Sequence, residues 1–124
     1  MNLIEPVGNG RLRVKSAYGF FTADWHGEKP SLGTSHSVEI DVNDLLLWGR
    51  DLRVADTPAQ EIADDEDMVR ISGRIESFDS DDVLTLLVDN SLIMVETEGD
   101  PPLGAIGRYA TLRSAKITLY PYDV

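Results

Sequence analysis

Val69-Arg70-Ile71-Ser72-Gly73-Arg74-Ile75 places apolar or small residues at every second position, with charged and hydroxyl groups between them. Successive side chains of an extended chain point to opposite faces, so this pattern reads as a half-buried strand with Val69, Ile71 and Ile75 inward. Gly73 falls on the same inward side. A glycine there predicts a bulge or a sharp bend, as small barrels use at their corners.

The same period of two recurs on both sides of that stretch. Arg11-Leu12-Arg13-Val14-Lys15 alternates basic and apolar residues, and Ser37-Val38-Glu39-Ile40-Asp41-Val42 puts three β-branched residues on one face. Asp51–Val54, Arg108–Arg113 and Lys116–Tyr120 are shorter examples. Leu84–Val88 and Leu92–Glu96 flank Asp89-Asn90-Ser91, a tight hairpin turn by composition. Pro121, without an amide hydrogen, ends the last ladder. Ser37–Val42 is expected to be an unpaired edge. Helical signals are few. Asn43–Trp48 reads as one turn, capped by Asn43 or Asp44 and stopped by Gly49. Thr57-Pro58-Ala59-Gln60-Glu61 reads as the start of a short helix, inside an acidic connection from Asp56 to Asp67.

The expectation is one all-β, mostly antiparallel domain over residues 1–124. It has seven or eight strands in a small barrel or a two-sheet sandwich, with at most one or two short helices. Residues 69–122 run as a long strand with a central glycine, a hairpin, the crossing Gly99-Asp100-Pro101-Pro102-Leu103-Gly104, and two closing strands. That order resembles an OB fold, and the resemblance implies a face able to hold an oligonucleotide or a small ligand.

The distribution of charge is more informative than its size, and reads either as a solubilising surface or as a face for a partner. The chain holds 22 acids against 11 bases, a net −11. Between Asp56 and Asp100 lie fourteen of those acids and only two of the bases, Arg70 and Arg74. Such a field repels nucleic acid and anionic membranes and attracts basic proteins. There is no cysteine, so disulfides, thiolate zinc sites and thiol nucleophiles are excluded. The N-terminus shows no basic region followed by an apolar run. No apolar stretch is long enough to cross a bilayer as a helix. A cytoplasmic location is expected.

Motifs for chemistry are incomplete. Gly33-Thr34-Ser35-His36-Ser37 lacks the second glycine of a nucleophile elbow and enters a strand instead of a helix. His26 and His36, the only histidines, match no zinc-ligand spacing. Asp79-Ser80-Asp81-Asp82 begins like a calcium loop, but Val83 stands where a third ligand is needed; a β-turn is the simpler account. Gly8-Asn9-Gly10 is too short for a phosphate loop. No cofactor, metal or catalytic residue is implied. Phe20 and Trp48 are expected in the core, whereas Trp25 and Tyr122 are candidates for exposure. A basic and aromatic surface from Arg11, Arg13, Lys15, Arg108, Arg113 and Lys116 would suit an oligonucleotide, against the overall charge.

In size, acidity and lack of cysteine or catalytic residues, the whole chain is similar to the small acidic immunity proteins that bacteria pair with toxins. That resemblance implies a one-domain inhibitor covering a basic partner. The candidate contact residues are Asp64, Asp65, Glu66 and Asp67, with Asp79, Asp81 and Asp82, where dense carboxylates pair with Lys and Arg and speed association.

Overall fold

The computed structural model describes residues 2–8, 11–27, 33, 38–88 and 91–121. Within them the chain forms twelve strands and no helix. They are β1 (Asn2–Gly8), β2 (Arg11–Ser16), β3 (Gly19–Trp25), β4 (Val38–Val42), β5 (Leu46–Leu47) and β6 (Leu52–Ala55). They continue with β7 (Glu61–Asp65), β8 (Met68–Phe78), β9 (Val83–Val88), β10 (Ser91–Glu98), β11 (Tyr109–Ser114) and β12 (Ile117–Pro121). All join one mixed sheet in the order β1-β2-β3-β12-β4-β10-β9-β8-β11-β6, with β5 on β10 and β7 on β8. Most pairs are antiparallel, and three are parallel: β10 with β4, β10 with β5, and β12 with β3.

The all-β, mostly antiparallel expectation holds, but the two short helices do not form. Leu46 and Leu47 pair with Thr97 and Glu98 as a strand, and Glu61–Asp65 is the strand β7, laid on Met68–Ser72. In both places a partner strand supplies the hydrogen bonds that one helical turn, with its costly nucleus, would have had to supply alone. Val38–Val42 is not an edge: β12 pairs on one side and β10 on the other. Thr34, Ser35, His36 and Ser37 of the elbow-like stretch, and Asp89 and Asn90 of the hairpin turn, lie outside the described residues.

β8 organises the molecule. Its first half pairs with β7, its second half with β9 on the same edge, and β11 runs along the other edge. Gly73 sits at the handover. The register shift expected there lies further on, between Ile75 and Ser77. What Gly73 provides is space: a Cβ would stand 2.7 Å from the Leu87 carbonyl oxygen and 2.8 Å from Val88 Cγ2.

The sheet curls around one core that includes Val14, Phe21, Ile71, Ile75, Leu86, Ile93 and Leu112, all fully buried. It does not close into a barrel, nor does it split into two stacked sheets. Where β3 meets β7 no ladder forms; among the described residues one backbone bond closes the seam, from Ile62 N to the carbonyl of Tyr18, just before β3, at 3.3 Å. The Thr22 N–H, which a closing ladder would direct at a β7 carbonyl, donates to the Asp64 side chain at 2.8 Å instead, and Thr22 Oγ1 donates to the other carboxylate oxygen at 3.0 Å. A carboxylate thus substitutes for the ladder. Asp64→Ala is expected to cost about 1 kcal/mol, whereas Asp67→Ala at an exposed turn position should stay within about 0.5 kcal/mol. Urea unfolding of the two variants checks this.

The loop after β5 is braced by Asp51, which accepts from Leu47 N at 3.0 Å and from the Arg50 guanidinium at 2.8 Å. Those contacts, the Arg50 hydrogen bond foremost, hold the Asp51 carboxyl below the usual carboxylate range. A lowered folded-state value stabilises the fold above the unfolded value of about 3.9, and the contribution disappears as pH falls through the folded value. Asp51→Asn should therefore be less stable than the parent at pH 7, with the gap narrowing at pH 3. Urea midpoints at the two pH values measure it.

Candidate functional site

The two acidic clusters occupy the turns at opposite ends of the eleven-residue β8. The fold does not gather them into one patch. In the first turn, Asp64 is committed to Thr22 as described. Asp65 lies between two guanidiniums, 3.1 Å from Arg70 Nη1 and 3.1 Å from Arg113 Nε. Glu61 takes Arg70 Nε at 2.7 Å and, more than Asp65, raises the guanidinium's proton affinity. Glu66 adopts a left-handed φ of 60° to make the turn, and Glu66 and Asp67 project from it exposed. The shallow depression beside them, about 250 Å³, has Arg11 in its wall.

The second turn has a different construction. One Asp79 oxygen accepts from Asp81 N at 2.9 Å and Val83 N at 3.2 Å, the self-bonding that makes aspartate a turn former. Asp82 has a φ of 63°, and its carbonyl accepts from both Thr97 N and Thr97 Oγ1 at 2.9 Å. Asp79 is spent on the turn, the turn is docked on β10, and Asp81 and Asp82 stand exposed beside it. No group of three or more His, Cys, Asp or Glu that could hold a metal ion occurs among the described residues.

Next to this second turn the sheet assembles carboxylates that are remote in sequence. Val83 lies opposite Glu96 and Met94 opposite Asp41; strand periodicity then puts Glu39 on the Asp41 face and Glu96 on the Met94 face. Together with Asp44 they line an open groove of about 480 Å³ across β4 and β10. Asp44 is partly engaged, accepting from Ser114 Oγ at 2.7 Å with Lys116 Nζ at 3.9 Å. Met94 lies in the groove 62% exposed, and Leu92, 55% exposed, follows on the same face opposite Leu87. Apolar side chains with a carboxylate border can grip a Lys or Arg side chain by both its aliphatic stem and its charged head. The sequence singled out Asp81 and Asp82 of the neighbouring turn, but not Glu39, Asp41, Asp44 and Glu96, which line the groove. The available signal was the outward half of the Val38–Val42 alternation, without a way to know that β10 lies beside it.

The basic and aromatic residues are dispersed. Phe20, expected in the core, is 45% exposed. Phe21 takes the core position, because neighbours on a strand face opposite ways and Val14 and Lys15 lie across from Phe21 and Phe20, respectively. Arg13 and Lys15 approach the Phe20 ring at 5.5 and 5.9 Å. Arg113 is held by Asp65, and Arg108 belongs to the far end of the sheet. Trp48 is half-buried, packed edge-on to Phe78 at 6.3 Å, and Tyr122 lies outside the described residues. His26 is exposed and stacks on Tyr120 at 4.6 Å. No family model matches the chain, and no curated protein or solved structure matches it.

Proposed function

We propose that this domain works by binding a basic protein through an acidic face, without catalysis of its own. The supporting observation is the β4–β10 groove, where Glu39, Asp41 and Glu96 line the same depression as exposed Met94, beside the turn whose Asp82 carbonyl is bonded to Thr97 on β10. Exposed apolar area inside a charged border is the anatomy of a protein interface, and the net charge of −11 steers a cationic partner toward it. In its sharper form the reading is an inhibitor that neutralises a basic toxin, as the immunity proteins do. Glu66 and Asp67, at the other end of β8, add to the long-range field and to the rim of a large partner.

An oligonucleotide-binding role has less support: its cations are scattered over β2, β11 and the residues just before β11 and β12, and several are already matched by Asp24, Asp44 and Asp65. The test is capture from a lysate of the source cells on immobilised protein at low salt, with elution by a salt gradient. A single basic protein eluting late from the parent, and absent from a column bearing a variant with Glu39, Asp41, Asp81 and Glu96 reversed to lysine, supports the reading. Retention that the reversal leaves unchanged, or retention of nucleic acid, rejects it.

A further inference from the structure

β6 ends the sheet, and β11 is its only strand partner among the described residues. Opposed residues of an antiparallel ladder alternate between exchanging backbone hydrogen bonds and not exchanging them. Arg113 N donates to the Asp51 carbonyl at 3.0 Å, and the register then sets Arg53 against Thr111 and Val54 against Ala110. Arg53 and Ala55 therefore bond to β11, while the backbone groups of Leu52 and Val54 point to the other edge. The Leu52 carbonyl is taken there by Gly49 N at 2.8 Å. Val54 keeps one N–H and one carbonyl directed outward, a pair that another extended chain can complete.

Beside this edge is an open depression of about 390 Å³. Trp48, Val54 and Pro102 form its apolar part, over fully buried Leu52; Arg53 and Arg108 flank it, with Asp100 as the one carboxylate in its wall. Arg53 is positioned by its Nε, which donates to the Gly49 carbonyl at 3.1 Å. Next to Pro102, Leu103 is 99% exposed and Ile106 63%. Their loop is anchored by buried Ala105 and by Gly107 N, which donates to the Ile75 carbonyl at 2.8 Å. These two side chains are thus presented on a braced loop.

Two guanidiniums around an apolar floor, on a chain of net charge −11, select a ligand of the opposite character from the one that suits the acidic groove. We infer that the β6 edge binds an extended segment of another protein in which apolar side chains alternate with carboxylates. Its main chain pairs with Val54, its apolar side chain rests on Trp48 and Pro102, and its carboxylates meet Arg53 and Arg108. A second copy fits less well, because two-fold pairing through this edge brings Arg53 and Arg108 of both chains to one seam. The site is distinct from that of the proposed acidic-face function: the depression beside β6 and the β4–β10 groove share no lining residue.

The experiment titrates the full chain against a fluorescein-labelled hexapeptide of alternating aspartate and leucine, with an aspartate–serine hexapeptide as the charge-only comparison. Saturable binding is expected, about tenfold tighter than the serine peptide and weakened about tenfold or more by Val54→Pro and by Arg53→Glu with Arg108→Glu. Val54→Pro removes a donor that no ladder uses among the described residues, so the fold should survive, as proline does on edge strands; a thermal melt verifies that. If it fails to fold, the arginine double variant carries the test. Groove reversal at Glu39 and Asp41 should leave this affinity unchanged, which separates the two readings. Absence of saturable binding, or affinity indifferent to the edge and arginine variants, overturns the inference. So does a concentration-dependent dimer in sedimentation that Val54→Pro abolishes, since the edge then belongs to a second copy.

Discussion

Gly73→Val is expected to lower stability by about 3 kcal/mol, a melting temperature drop of about 10 °C for a domain of this size. The position has no unusual φ, so the penalty is one of space. A Cβ there overlaps the Leu87 carbonyl oxygen and Val88 Cγ2, and the first of these is backbone that cannot rotate away. Relief requires β9 to shift from β8 at the point where β8 passes from β7 to β9, and the core contacts of Ile75, Leu86 and Val88 shift with it. Gly73→Ala should show a smaller loss of the same sign, offset in part by the entropy that alanine removes from the unfolded chain. Gly104→Ala is the comparison. That residue has a φ of 69° with open space around it, so its cost is conformational alone, about 1 kcal/mol. Thermal melts of the three variants decide the matter: a Gly73→Val variant that melts with the parent would show that β8 and β9 do not approach as described.

The second large effect concerns binding. Reversing Glu39, Asp41, Asp81 and Glu96 to lysine should weaken the basic partner at least about 100-fold at low salt, since charge pairs formed close to an interface couple by about 1.5 kcal/mol or more. The salt dependence should flatten in parallel, because it arises from the same charges. All four side chains are outside the core, and the substitutions avoid Asp82, whose positive φ would add strain. Reversing Glu66 and Asp67 should have a smaller effect, mainly on the association rate, because they stand at the other end of β8. Met94→Ala separates the apolar contribution: it should speed dissociation with little change in salt dependence. Calorimetry and stopped-flow measurements with the captured partner read both. Equal affinity in the groove-reversed protein would remove the acidic face from consideration.

The acidic segment shows why composition and function were only loosely connected at the level of sequence. Asp64, Asp65, Asp79 and Asp81 look equivalent when read as a run of carboxylates. In the fold, Asp64 bridges two strands that fail to form a ladder, Asp65 neutralises Arg70 and Arg113, Asp79 shapes a turn, and Asp81 is left to solvent. Whether a carboxylate is free depends on which donors the fold brings within about 3 Å, and those donors come from Thr22 and Arg113 as well as from close neighbours.

Period-two alternation was sufficient by itself for the all-β class and for the core faces of β2, β4 and β8, and local composition for the turn at Asp79, since these depend on residues within a few positions of one another. Strand β7 was not legible, because Glu61-Ile62-Ala63-Asp64-Asp65 carries one large apolar residue and becomes a strand through the hydrogen bonds of β8. The parallel neighbours β4 and β10, the open seam at β3 and β7, and the opposite facings of Phe20 and Phe21 were decided only by tertiary structure. Each rests on pairing with residues the local pattern does not name, in most cases tens of positions away. The free energy of such pairing lies in the assembled sheet and the core it covers, not in the local preferences of either strand.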